Sequence, residues 1–348
     1  MGIITLLDPD SIGFSTEEKV YREGIELEKG VVLTPDFVEA HQDLIEKYTQ
    51  FFLAYPDVFL DIIKPSYINF NLYPFQRVIL RACMRYNTIF ITACRAASKT
   101  FLSILAKYLQ CVFVPGHNGS IVAPNKNQAA KISQQKIKEI WKLFPLLEKE
   151  VEKANMGKDY TDIKFKNGST LSIAAALDSD RGLRKHSCLV DETRDQDGEA
   201  LAEIILPQLN VSRRMANGEV NPYEMINQQV IYTTSAGLKS SFAYEKLIEV
   251  FEDSIIDSKR SFSVGLDYRI PAMHGLVSQD YVNKLKTSAT YNENTFAAEY
   301  MSSWQGGSVE SWFNYDKVSK YRTLKNAERE CHVFDGQNSW YLLSVDVG

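Results

Sequence analysis

The chain has 348 residues, of which 45% are hydrophobic and 11% are aromatic. This supply of apolar side chains predicts a folded core, and the length suggests two structural units or one large α/β unit with additions. The 39 lysines and arginines against 44 aspartates and glutamates give a net charge of −5. Proteins that hold nucleic acid by general electrostatic attraction are usually basic, so this balance weighs against an autonomous DNA-binding module.

Cysteine spacing and hydropathy exclude further classes of protein. The five cysteines are far apart and form no Cys-x-x-Cys pair, which favours reduced thiols in the cytosol and argues against a zinc site. No stretch reaches the roughly 20 apolar residues that a membrane span needs. Residues 1–18 lack a positively charged leader before an apolar run, so a secretory signal is not expected.

The spacing of apolar residues predicts an α/β organisation. From about Pro35 to Ala54 the apolar residues recur at helical spacing, which predicts an amphipathic helix. After Pro65, short apolar runs alternate with helical patterns, as is typical of βαβ units around a parallel sheet. Asn167-Gly168 lies between two alternating runs and predicts a hairpin. The predicted strands are 88–92, 120–123, 162–166, 170–174, 187–190 and 228–233, and the predicted helices are 99–112, 127–144, 199–209, 243–253, 279–286 and 293–302.

The most informative segment joins the predicted strand 88–92 to the helix that follows it. It reads Ala93-Cys94-Arg95-Ala96-Ala97-Ser98-Lys99-Thr100. A phosphate-binding loop needs backbone N–H groups at a helix N-terminus, a lysine that reaches the β- and γ-phosphates, and a hydroxyl for Mg²⁺. Lys99 and Thr100 fit the last two roles. The standard pattern has glycines where this chain has Ala93 and Ser98, so an ordinary helix start stays an alternative.

Two acidic residues end a later predicted strand, in the segment Cys188-Leu189-Val190-Asp191-Glu192. In open α/β sheets, ligands bind at the carboxyl ends of the strands. An aspartate there can orient Mg²⁺ and its waters, and the adjacent glutamate can polarise an attacking water. A solvated acidic loop is the alternative interpretation, and the lysine loop upstream favours the catalytic one.

These motifs resemble those of viral (phage) large terminases. In that family an arginine stands four residues before the phosphate-loop lysine, and Arg95 has this position relative to Lys99. Further resemblances follow in the family's order: an adenine-reading glutamine motif at 72–76, an Ala-Pro-Asn segment at 122–129, Arg181-Gly182, a coupling motif at 232–237, a pre-nuclease segment at 296–304 and a first nuclease strand at 342–348.

The resemblance implies a RecA-like (ASCE) P-loop ATPase, an α/β fold whose mostly parallel sheet is flanked by helices, with a small lid subdomain. It implies ATP and Mg²⁺ as cofactors. The implied nucleotide-binding residues are Tyr73, Phe75 and Gln76 at the adenine, Ala93, Cys94, Arg95, Ala96, Ala97, Ser98, Lys99 and Thr100 at the phosphates, and Thr233, Thr234 and Ser235 as sensors of the γ-phosphate. The implied metal ligands are Thr100 and Asp191, and the implied catalytic residues are Arg95, Lys99 and Glu192, with Arg181 and Arg184 as candidates for an arginine given to a neighbouring subunit.

The resemblance also implies an ATP-hydrolysing motor that moves double-stranded DNA into a procapsid in the host cell cytoplasm. The implied partners are duplex DNA, further copies in a ring (pentameric in the family) on a capsid portal, and a small terminase subunit, without a membrane. The expected domains are a helical segment at 1–60, the ATPase core at 61–260, a lid at 261–310, and at 311–348 a linker with the first strand of a truncated nuclease. Asp346 alone cannot hold two metals, so nuclease activity is not expected of this chain.

Other interpretations stay open at this point. A related nucleic-acid helicase or translocase uses the same core. A degenerate nucleotide-binding protein without hydrolysis is favoured by the missing glycines and opposed by Lys99, Asp191 and Glu192. The polar stretch 212–221 is predicted to be an exposed loop, on which Arg213 and Arg214 either face DNA or are solvated charges.

Overall fold

The computed structural model describes residues 4–5, 26–27, 39–158, 160–174, 184–215, 217–221, 224 and 226–306. By its internal contacts the chain divides after Gln305, and the fold below is that of the unit before this point. The predictions that concern Arg181, Asp346 and residues 311–348 lie outside the described residues. Within the described part, no helix is long and apolar enough to cross a membrane.

The N-terminal part consists of a short strand pair and three helices. Strands β1 (Ile4–Thr5) and β2 (Glu26–Leu27) pair in antiparallel fashion. The helices that follow are α1 (Gln42–Ala54), α2 (Pro56–Ile63) and α3 (Pro74–Arg85). Both α2 and α3 begin with a proline, whose fixed φ angle and missing N–H suit the first turn of a helix.

Eight strands form one sheet: β3 (Thr88–Ala93), β4 (Asn118–Val122), β5 (Val151–Met156), β6 (Thr161–Phe165), β7 (Thr170–Ala174), β8 (Ser187–Asp191), β9 (Gln229–Thr234) and β10 (Ser261–Leu266). Their spatial order is β10-β3-β9-β8-β4-β7-β6-β5. The pairs from β10 to β7 are parallel, whereas β6 pairs antiparallel with both β7 and β5. The structure is therefore an α/β fold with a mostly parallel sheet, as predicted.

This order decides which loops meet. Strand β9 lies between β3, which leads into the lysine loop, and β8, which ends in the acidic motif. In register, Thr92 of β3 is opposite Thr234 of β9, and Asp191 of β8 is opposite Thr233. The carboxyl ends of three strands thus meet at one edge of the sheet, where α/β proteins bind ligands.

Helices cover both faces of the sheet. They are α4 (Lys99–Phe113), α5 (Lys126–Leu143), α6 (Pro145–Lys149), α7 (Phe242–Ile256), α8 (Arg269–Met273), α9 (Gln279–Lys286) and α10 (Glu293–Glu299). Helix α4 is buried over almost its whole length and packs in the larger core cluster. Alternate residues of the central strands divide between the two cores: Ile231 lies in the larger cluster, and Val230 and Tyr232 in the smaller one.

Three elements differ from the sequence-based expectation. Strand β5 was not predicted, because its exposed lysine and glutamate hide the alternation. Strand β10 lies in the segment expected to begin the lid, yet it is an edge strand of the main sheet. The predicted helix 199–209 is a helical stretch that changes from α (Gly198–Ala200) to π (Leu201–Ile205) to 3-10 (Leu206–Asn210). Pro207 has no N–H, so a regular α ladder cannot run through it.

Candidate nucleotide-binding site

The lysine loop adopts a conformation that is unusual for its residues. Ala96 and Ser98 both have a φ angle of 62°, in the left-handed region that favours glycine. Ala93, where the standard pattern also has glycine, is instead the last residue of β3 and needs no special backbone angle. Within the described part of the chain, the N–H groups of Lys99 and Thr100 find no acceptor, as expected at a helix start. The loop therefore offers free donors at the positive end of α4.

Lys99 stands at the centre of the site. Its side chain is nearly buried, and Nζ donates to Ser235 Oγ at 3.3 Å. The same Nζ lies 3.6 Å from Glu192 Oε1. The lysine thus connects the phosphate loop to the acidic motif and to the loop after β9. A cation held at this point can face a polyphosphate chain in the adjoining cleft.

Thr100 and Asp191 form the oxygen pair expected of a metal site. Thr100 Oγ1 lies 3.2 Å from Asp191 Oδ2, and Thr233 Oγ1 donates to Asp191 Oδ1 at 2.6 Å. No group of three or more His, Cys, Asp and Glu side chains that could hold a metal occurs among the described residues. Mg²⁺ is usually held by one or two protein oxygens together with substrate phosphates and waters. The pair formed by Thr100 and Asp191 fits such a site.

Glu192 has the features of a general base. It follows β8 in a left-handed conformation, with φ at 48°. Its Oε2 is buried and has no hydrogen-bond partner among the described residues. Burial raises the pKa of Glu192, and the neighbouring Lys99 opposes that shift. A carboxylate with a free oxygen and a raised pKa is a better proton acceptor near neutral pH than an ordinary glutamate.

An ion network joins the loop, the acidic motif and α10, with Arg95 exposed and Arg194 and Glu299 largely buried. Arg95 Nε donates to Glu299 Oε2 at 2.8 Å, and an Arg194 guanidinium nitrogen lies 2.7 Å from Glu299 Oε1. Burial acts to raise the pKa of Glu299, but the hydrogen bonds from the two arginines outweigh it and hold the pKa below its usual value. The second Arg194 nitrogen donates to the Ala236 carbonyl at 2.9 Å. Two guanidinium groups therefore share one carboxylate at the edge of the site.

A cleft of about 440 Å³ opens beside the loop. Its lining includes the loop residues Ser98, Lys99 and Thr100 as well as Tyr73 and Gln76. Gln76 is buried, and its Oε1 accepts a hydrogen bond from the Tyr73 N–H at 2.9 Å, which caps α3. The Tyr73 ring stacks on His274, with centroids 4.5 Å apart. The cleft thus has a phosphate end and an aromatic end.

The threonines and the serine at the end of β9 are fully enclosed. Thr233, Thr234 and Ser235 are all buried. Thr233 Oγ1 donates to Asp191, Thr234 Oγ1 accepts from the Arg194 N–H, and Ser235 Oγ accepts from Lys99 Nζ. The stretch from Thr233 to Ser235 therefore contacts both the lysine loop and the acidic motif.

Solved structures of phage proteins share this architecture. The large terminase ATPase domain of Thermus phage P74-26 superposes with a TM-score of 0.50 at 15% identity, over 71% of this chain and 98% of that one. The large terminase of bacteriophage HK97 gives 0.53 at 16% identity, over 72% of this chain and 55% of that one. A large terminase from a thermophilic bacteriophage gives 0.50 at 12% identity, over 70% of this chain and 56% of that one.

This chain has the fold of a phage large terminase ATPase domain. It spans little more than half the length of the HK97 terminase and of the terminase from the thermophilic bacteriophage. No protein-family profile matches the sequence, and no curated protein matches it either. The likeness to terminases therefore lies in the fold, which confirms the predicted fold class.

Within this terminase fold, most of the expected site residues converge, and a few do not. Phe75 packs near His274 at a centroid distance of 5.7 Å but does not line the cleft. Arg184 is exposed and precedes β8, at the opposite edge of the sheet from the acidic motif. The length of β8 separates it from Asp191 and Glu192 of its own chain. Arg181 lies outside the described residues.

The loop arginines have different environments from those expected. Arg213 is mostly buried, forms a bidentate ion pair with Glu224 and donates to the Pro115 carbonyl at 3.1 Å. Arg213 therefore stabilises its loop, and the structure does not show an exposed DNA-facing pair of Arg213 and Arg214.

Sequence reasoning also missed Arg194. The only available signal was its position two residues after Glu192.

Proposed function

We propose that this protein is the ATP-hydrolysing motor domain of a phage large terminase, which translocates double-stranded DNA into a procapsid. The observation that carries the proposal is the convergence of Lys99, Asp191 and Glu192 at one edge of a terminase-like sheet. The three come from two different strand ends, and a structural protein has no need to bring them together around one loop.

The residues divide the chemistry of ATP hydrolysis among them. Lys99 and the free N–H groups at the start of α4 hold the β- and γ-phosphates. Thr100 and Asp191 would hold Mg²⁺, which would neutralise the charge that develops on the phosphate oxygens. Glu192 accepts a proton from the attacking water through its free carboxylate oxygen.

Movement is proposed to start at the end of β9. Thr233 is bonded to Asp191, and Ser235 to Lys99. Loss of the γ-phosphate changes the charge that Lys99 and Asp191 face. The Ser235 hydroxyl is bonded to Lys99 and the Thr233 hydroxyl to Asp191, so both hydroxyls respond to this change. The stretch from Thr233 to Ser235 then relays the change to the segment that follows, which Arg194 also contacts at the Ala236 carbonyl.

We further propose that the protein acts as a ring of identical subunits on a capsid portal in the host cytoplasm, together with a small terminase subunit. Arg184, exposed and remote from its own site, is then a candidate for an arginine that completes the site of a neighbour. Such arginines raise turnover by about 10³–10⁵. Turnover per subunit is expected to rise with protein concentration, and to do so less in Arg184→Ala. A rate that is flat on dilution would remove this part of the proposal.

The central test is a steady-state ATPase assay on wild type and Glu192→Gln. The glutamine keeps the shape of the side chain and loses the proton acceptor, so binding of a fluorescent ATP analogue should persist while turnover is lost. A degenerate nucleotide-binding protein would show binding and no turnover in the wild type. Near-normal turnover in Glu192→Gln would show that the assignment of the acidic motif is wrong.

A further inference from the structure

Positive charge is unevenly distributed along this acidic chain. The segment 126–174 contains ten lysines and six acidic residues, so it carries an excess of four positive charges in a chain whose net charge is −5. The segment comprises α5, α6 and the strands β5 to β7. These elements occupy the side of the sheet away from β10. One end of the molecule is therefore cationic while the remainder is strongly acidic.

Helix α5 concentrates this charge on a single face. Lys131, Gln135, Lys138 and Lys142 are all exposed. At about 100° per residue they fall within an arc of about 60° on the helix surface. No acidic residue interrupts this row, which we call the α5 lysine face. Among the described residues, none of the three lysines has an ion pair or a hydrogen bond to its side chain.

The opposite side of α5 is fixed to the fold. Ala130, Ile137 and Ile140 are fully buried in the larger core. Gln134 Nε2 donates to the Gly157 carbonyl at 2.7 Å and to Thr161 Oγ1 at 3.0 Å, which ties α5 to β6. The helix has 18 residues and is therefore about 27 Å long. The lysines project from a rigid rod rather than from a flexible loop.

The same helix also borders the nucleotide site. Lys136 and Glu139, on another side of α5, line the cleft beside the phosphate loop. The turn before α5 contributes Pro124 and Asn125 to a smaller cavity that Asp191 and Glu192 also line. A load on the lysine face therefore acts on an element that borders the same cavities as the phosphate loop and the acidic motif.

We infer that the α5 lysine face binds the phosphate backbone of double-stranded DNA. This inference rests on the proposed function, which supplies duplex DNA as the partner. Lys131 and Lys138 are about 10 Å apart along the axis and Lys138 and Lys142 about 6 Å. The row is therefore about 16 Å long, which is the axial length of about five base pairs of duplex DNA. Lysine and glutamine contact phosphates without reading bases, so the binding is independent of sequence.

The exposed strand lysines of the same segment are a less suitable surface. Lys164 pairs with Glu152 at 2.9 Å, and Asp162 is exposed on the same side of β6. Acidic residues therefore divide that surface. It nevertheless offers a matched control, because Lys153, Lys158 and Lys166 are exposed and their removal changes the charge by the same amount.

The test compares wild type, the triple variant Lys131→Ala, Lys138→Ala, Lys142→Ala and the control triple Lys153→Ala, Lys158→Ala, Lys166→Ala. Fluorescence anisotropy with two unrelated labelled duplexes of about 30 base pairs gives Kd between about 50 and 200 mM salt. The α5 variant should bind about tenfold or more weakly at low salt. Its slope of log K against log salt should be shallower by about 2.7, which is about 0.9 for each of three lost contacts. The control should stay within about twofold of wild type.

Several outcomes would overturn the inference: no duplex binding by wild type, an unchanged slope in the α5 variant, or an equal loss in the control. Tighter binding of an unpaired strand of the same length would also contradict a duplex partner.

Thermal unfolding checks that both variants are folded, and substitution of the three α5 lysines by arginine should preserve the slope. Basal ATP turnover should be equal in all proteins. If wild type has no turnover, the proposed function fails while the binding result stands, and if turnover is normal but the slopes coincide, only this inference fails.

Discussion

Arg194 and Glu299 form a salt bridge of 2.7 Å that joins the acidic motif to α10. Both side chains are largely buried, and Glu299 is also bonded to Arg95 of the phosphate loop. The same Arg194 guanidinium donates to the Ala236 carbonyl. Arg194 thus connects its own segment to α10 and to the segment that follows β9, which are far apart in sequence.

Arg194→Ala should lower ATP turnover while leaving nucleotide affinity within a few-fold of wild type. The substitution leaves the Ala236 carbonyl without its donor and Glu299 with one cation, which should also destabilise the fold by about 2 kcal/mol. Arg194→Lys should restore little of the ATP turnover, because a lysine cannot bridge the Glu299 carboxylate and the Ala236 carbonyl as a planar guanidinium does. Arg260→Ala, on an exposed arginine, is the control. Equal turnover in Arg194→Ala and wild type would show that the salt bridge is only structural.

Ser98→Gly should stabilise the protein by about 0.5–1 kcal/mol. A left-handed conformation costs an L-residue about 1–2 kcal/mol, part of which is offset by the greater freedom of glycine in the unfolded chain. Ala97→Gly is the matched control, since Ala97 is buried and has no positive φ angle. It should destabilise by about 0.4–1 kcal/mol, because glycine has more conformational freedom in the unfolded chain. Urea unfolding measures both. A loss of stability in Ser98→Gly would contradict the backbone conformation described for the loop.

ATP turnover should fall on the acid side at a pH above the ordinary range of a glutamate. Burial raises the pKa of Glu192, against the opposing effect of Lys99. A protonated carboxyl group cannot accept a proton from water, so activity is present above this pKa and is lost as the pH falls through it. A pH–rate profile at saturating ATP measures the midpoint. An acid limb at or below the ordinary glutamate pKa would assign the base elsewhere.

The buried Lys107 predicts a second pH effect, this time on stability. Burial lowers the pKa of Lys107 to about 7, although Nζ donates to Gln229 Oε1 at 2.8 Å. Between about pH 7 and the unfolded lysine pKa of about 10.4, the unfolded chain binds more protons than the folded one. The free energy of unfolding should therefore rise with pH in this window.

Lys107→Met removes this titrating group and keeps the volume. Gln229 Oε1 keeps its hydrogen bond from Gln110 Nε2 at 2.7 Å, so the substitution does not leave this acceptor without a donor. The variant should show a flatter dependence of the midpoint of thermal unfolding on pH between about 7 and 10. Lys153→Met, at an exposed lysine, should leave the dependence as it is in wild type. Identical profiles for Lys107→Met and wild type would mean that Lys107 stays charged in the fold.

The sequence by itself determined the strands that carry the chemistry. The segments 88–92, 187–190 and 228–233 are short runs of mainly apolar or β-branched residues, and each was predicted within one or two residues. A strand that is buried on both faces consists largely of such residues. The types and order of Lys99, Thr100, Asp191 and Glu192 were likewise visible, since phosphate and metal chemistry restricts which residues can serve.

Only the tertiary structure decided which of these segments meet. The strand order places β9 between β3 and β8, and this long-range pairing leaves no local pattern in the sequence. For the same reason the Arg95–Glu299–Arg194 network could not be predicted. The burial of Arg213 against Glu224 within one loop could not be predicted either, because no regular sequence pattern marks it. From the sequence alone, an arginine on a loop is interpreted as a solvated charge. Only the folded structure shows whether a carboxylate packs against it. The positive φ angles of Ala96 and Ser98 are a further case, because the turn between β3 and α4 imposes them on residues that would not adopt them alone.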